Sequence, residues 1–73
     1  MSYNFDNIGS AMTMLFDELK DDKQSKKLIK QMDEAQDDSA LKKGLVAGVK
    51  RLRELGKNAL ADDIEKKTKG FAF

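Results

Sequence analysis

The sequence predicts an all-α fold, a small compact bundle of three longer helices plus a short C-terminal helix, forming a single domain over residues 1–73. Three observations carry this expectation. Apolar residues recur at intervals of three and four along the chain, the spacing of one face of a helix. No run alternates with period two, and β-branched residues are sparse, so strands have no support. With no proline and five glycines, the chain offers few places where a helix must break.

The first stripe is Ile8, Met12, Leu15 and Leu19, flanked by Ala11 and Phe16, and it predicts a helix from about Asp6 to Lys20 with Asp6 or Asn4 as its cap. Leu28, Ile29, Met32 and Ala35 form the second, on a helix over about Lys23 to Gln36. Asp21 and Asp22 stand at its start, where negative charge suits unpaired amides, and Lys26, Lys27 and Lys30 turn outward. Asp37, Asp38 and Ser39 repeat the start signal before a third helix that runs to Leu55 and buries Leu41, Leu45, Val49, Leu52 and Leu55. Gly56 ends it in left-handed geometry. Asn58 is then expected to cap a short fourth helix through about Lys69, with Leu60, Ala61 and Ile64 inward and Gly70 as its stop. The expected core comprises Ile8, Met12, Leu15, Leu19, Leu28, Ile29, Met32, Leu45, Val49, Leu52, Leu60 and Ile64. Short connections between the helices imply antiparallel neighbours.

Composition excludes several classes of function. There is no cysteine and no histidine, which removes thiolate and imidazole ligands, Cys and His nucleophiles and the usual neutral-pH general base. No glycine-rich phosphate loop occurs, and no serine has a visible base partner. The expectation is a protein that is not an enzyme and uses no cofactor. Fourteen basic against thirteen acidic residues leave no global field to steer the chain to nucleic acid or an anionic membrane. No apolar run is long enough to span a bilayer, and the start lacks a basic segment followed by an apolar one, so the expected location is cytoplasmic, away from membranes.

Five local patterns deserve weighing. A helix-turn-helix about Gly56 is disfavoured, because it would bury Asp62 and send Asp62, Asp63 and Glu65 toward phosphates. Lys42, Lys43, Lys50, Arg53 and Lys57 lie on adjoining outward faces of the third helix, with no aromatic between them to stack on single strands. The acidic pairs, such as Asp21 with Asp22 and Asp37 with Asp38, do not converge by local geometry and lack the spacing of a calcium loop, so no metal site is expected. Gly44 and Gly48, one turn apart, cost about 1 kcal/mol each against alanine inside a helix, which predicts close approach of another backbone. The apolar tail Gly70-Phe71-Ala72-Phe73 either folds back over the end of the bundle, the favoured reading, or offers two aromatic anchors to a partner.

Together these predict a protein that works by binding a larger protein, as a regulator, inhibitor or adaptor of the kind mobile elements carry. The candidate partner-binding residues are Lys43, Lys50, Arg53, Phe71 and Phe73. A nucleic-acid-binding protein using the basic third helix is the second reading, and a homodimer or larger homo-oligomeric structural component is the third.

Overall fold

The computed structural model describes residues 5–73 and is all-α, with no strand among the described residues. Helix α1 spans Phe5–Leu19, a single 3₁₀ turn covers Lys23–Ser25, and α2 (Lys26–Asp33), α3 (Asp38–Glu54) and α4 (Asn58–Lys67) follow. Asn4 and Tyr3 lie outside the described residues, as does the side chain of Phe5. The bundle has principal extents of 35 × 27 × 15 Å, so every helix keeps one side toward solvent.

The second helix departs most from expectation. It has 8 residues against the 10 of α4, so the shortest helix is α2 and not the C-terminal one. The carboxylate of Asp22, expected to favour the amides that open this helix, instead accepts from Ser25 Oγ at 2.5 Å and from the Arg51 guanidinium of α3. The chain consequently enters through a 3₁₀ turn, with the Ser25 amide bonded three residues back to the Asp22 carbonyl at 3.0 Å. Its far end closes at Asp33, because Asp37 must already cap α3, its carboxylate accepting from the Ala40 amide at 2.8 Å.

Helix α3 ends as the glycine predicts. Gly56 has φ of 82°, and the Lys57 and Gly56 amides bond back to the Leu52 and Arg53 carbonyls at 2.8 and 3.0 Å, the two bonds of a Schellman closure. That closure places Lys57, not Asn58, at the N-cap of α4, and Asn58 is already helical. Lys57 Nζ also reaches back to Glu18 of α1, tying the turn to the first helix.

The buried core is Ile8, Ala11, Leu15, Leu19, Met32, Leu45, Val49, Leu52, Ala61, Ile64 and Phe71. Met12, Leu28, Ile29 and Leu60, expected in this set, are only partly buried and pack around it. Leu55, assigned to the buried side of α3, is 39% exposed, since it sits at the C-cap beyond the last helical turn.

Gly44 and Gly48 are both buried, but each receives a side chain and not a backbone. A Cβ on Gly44 would collide with Met32 Cγ and stand 2.9 Å from its Sδ, and one on Gly48 would lie 2.9 Å from both Leu15 methyls. The missing side chains therefore make two holes, one turn apart, filled by a residue of α2 and a residue of α1.

Candidate functional site

The three basic residues singled out on α3 fall on one line. Lys43, Val46, Lys50 and Arg53 follow one another at intervals of three, four and three, which sets them along a single face of the helix. All four are exposed, Val46 by 45% of its surface. Gly48, two residues from Val46 and so turned roughly 200° away, packs against Leu15. The stripe accordingly points away from α1.

Its cations differ in state. Neither Lys43 nor Lys50 has an ion-pair partner among the described residues. Arg53, by contrast, donates through Nη2 to Asp62 at 2.8 Å and Glu65 at 3.0 Å, and through Nη1 to Asn58 at 3.4 Å. Hydrogen bonding to Asp62, above all, raises the guanidinium pKa beyond its ordinary value. The Gly56 turn makes this possible by folding α4 back along α3, so Arg53 joins the two helices at their outer edge.

The two tail aromatics separate. Phe71 is buried, 6% exposed, with the Lys42 ammonium 5.3 Å from its ring centroid, a cation–π distance. A left-handed Gly70 at φ 90° and the Phe71 and Ala72 amides bonded to the Thr68 carbonyl, both at 3.0 Å, curl the tail inward. Phe73 remains 42% exposed and lines a shallow depression with Asp62, Glu65, Lys66 and Lys69. It thus lies beside the carboxylates that hold Arg53. Lys43, Val46, Lys50, Arg53 and Phe73 belong to one side of the molecule, whereas Phe71 belongs to the interior.

A second exposed region runs along the seam between α1 and α2, where no site residue was expected. Phe16 and Ile29 floor a groove of about 400 Å³ bordered by Lys20, Lys26, Lys30 and Asp33. Next to it, a depression of about 320 Å³ is lined by Met12, Met32, Leu41, Asp33, Asp37 and Asp38, among others. Asp33 belongs to both, so they form one continuous seam. The spacing Met12, Phe16, Lys20 on α1 and the pairs Lys26–Lys30 and Ile29–Asp33 on α2 are the signals that could have found it.

No three Asp or Glu side chains converge to hold a metal ion among the described residues, and no helix of the structure is long and apolar enough to cross a membrane. Comparison with family models, with curated proteins and with solved structures finds no match in any of the three.

Proposed function

We propose that this chain acts without catalysis, by binding a larger protein as a regulator, inhibitor or adaptor in the cytoplasm, and that the outer stripe of α3 meets an acidic surface of that partner. One observation carries the proposal: Lys43 and Lys50, two turns apart and without ion pairs among the described residues, flank an exposed Val46 on one straight face. An apolar contact between two available cations suits a carboxylate-rimmed protein surface, where charge complementarity speeds encounter and the apolar centre slows release.

A duplex is the less suitable partner. The next cation along the stripe, Arg53, is already held by Asp62 and Glu65, and those carboxylates would face any phosphate placed beside it. The absence of histidine and cysteine from the chain supports a role other than catalysis.

The experiment is capture from cytoplasmic extract by wild type and by the double variant Lys43→Glu, Lys50→Glu, paired with a salt-titrated duplex-DNA binding assay. The variant should keep its helical circular dichroism, because both side chains stand off the core, and should lose the captured protein by about tenfold or more. Capture that is unchanged by the double reversal would remove the stripe from the account. DNA binding that falls steeply with salt and disappears in the variant would replace the protein partner with nucleic acid.

A further inference from the structure

We propose that the seam between α1 and α2 is a self-association face, taken by the same seam of a second copy of this chain across a two-fold axis. This inference is independent of the α3 stripe, which faces away from α1.

The seam is dipolar. At one end Lys20, Lys26 and Lys30 border the groove floored by Phe16 and Ile29, and at the other Asp33, Asp37 and Asp38 border the depression lined by Met12 and Leu41. Lys26, Lys30, Asp33 and Asp38 have no ion-pair partner among the described residues, and Lys20 has only the exposed Asp17 at 3.3 Å. From Met12 to Lys20 the helix rises roughly 12 Å at its 1.5 Å per residue. The two charged ends are therefore separated by more than the ~8 Å screening length at physiological salt, and each acts on what lies directly opposite it.

That pattern selects the occupant. An acidic helix laid in the seam would satisfy the lysines and meet the aspartates at the far end, and a basic helix would do the reverse. A second copy turned by a two-fold axis across the seam near Phe16 satisfies both, since it brings lysines onto aspartates twice, once at each end. Between them the half-buried Met12, Phe16, Ile29 and Leu41 of each copy come together. An isologous contact of this kind closes on itself and stops at the dimer.

The test is charge exchange, read by sedimentation velocity over a range of concentrations at low and high salt. Wild type should pass from monomer to dimer with concentration, and the association should weaken as salt rises. Lys26→Asp with Lys30→Asp should weaken self-association by about tenfold or more, and so should Asp33→Lys with Asp38→Lys, each variant alone placing like charges opposite one another. An equimolar mixture of the two variants should recover a dimer, because every reversed lysine then meets a reversed aspartate. Circular dichroism confirms that each variant is folded, and the exposed positions make two independent routes to the same result. Lys43→Glu with Lys50→Glu should dimerise as wild type does. A wild type that stays monomeric up to millimolar concentration overturns the proposal. So does a mixture that remains monomeric while both variants are folded, or a dimer lost on reversal of Lys43 and Lys50 alone.

Discussion

Arg51 and Asp22, 29 positions apart, meet in a two-point ion pair, with Nε donating to Oδ2 at 2.8 Å and Nη2 to Oδ1 at 3.0 Å. The pair joins the loop after α1 to the middle of the molecule's longest helix, and Ser25 and Glu54 complete it from either side. Hydrogen bonding to Arg51, followed by that to Ser25, holds the Asp22 carboxyl down to about 2 from 3.8, while Asp22 raises the Arg51 pKa further above its already high value. Because the folded-state pKa is depressed, the pair's contribution to stability is fully present above pH 3.8 and is lost as pH falls through about 2.

Replacing Asp22 by Asn should therefore lower the urea midpoint at neutral pH, and the gap between variant and wild type should close as the pH falls from about 4 to about 2. Denaturant titrations of both proteins across that range check it. A gap that is constant with pH would mean that the charge of Asp22 is not what stabilises the pair.

The glycines of the helices should respond in opposite directions to alanine. At Gly44 the new Cβ collides with Met32, and overpacking costs about 1–3 kcal/mol, more than the ~1 kcal/mol of helix propensity gained. Gly48→Ala, meeting only the ends of Leu15, should lie closer to neutral. Gly9→Ala on α1, with nothing within 4 Å, should stabilise by about 0.5–1 kcal/mol. Gly56→Ala also meets no atom within 4 Å, so its expected cost of about 1–2 kcal/mol is the left-handed backbone alone. Equilibrium unfolding of the four variants separates steric from backbone effects.

Phe71→Ala should destabilise the protein by about 3–5 kcal/mol, the typical cost of removing a buried aromatic ring. Phe73→Ala should change stability by less than about 0.5 kcal/mol, as expected for an exposed position. Comparable losses from both would mean that the tail packs as a unit and not through Phe71.

In α3, Leu52→Ala should cost about 2–5 kcal/mol and Leu55→Ala less than about 1, although the two are separated by a single turn. Leu52 is fully buried, and Leu55 is largely in solvent at the C-cap. Thermal or denaturant unfolding that gives equal losses would contradict this placement.

Helices α1 and α3 were legible because their stripes are long and their ends carry local signals, Asp37 before α3 and Gly56 after it. The start of α2 was not. Asp22 looks like a helix-starting acid in its own neighbourhood, and only the fold brings it to Arg51, which takes its carboxylate. The stripe of Lys43, Lys50 and Arg53 could be read from spacing, yet the capture of Arg53 by Asp62 and Glu65 depends on how the Gly56 turn lays α4 along α3. The α1–α2 seam depends likewise on the register of two helices, which no single helix period contains. Phe71 and Phe73 are chemically alike and two residues apart, and it is the curl at Gly70 that sends one inward and leaves the other outside.

The hole at Gly44 bears on how the molecule meets oxidants. Met32, which fills that hole, is 3% exposed, whereas Met12 and Met14 are partly open to solvent. Peroxide reaching the folded chain would convert Met12 and Met14 to sulfoxides first, at the rim, where the added oxygen can be hydrated. At Met32 the same oxygen would have to enter a space already closed against α3, so its thioether reacts only when the bundle opens, and a sulfoxide formed there then hinders reclosure. The rate at which Met32 is oxidised is in this way a clock for the opening of the fold.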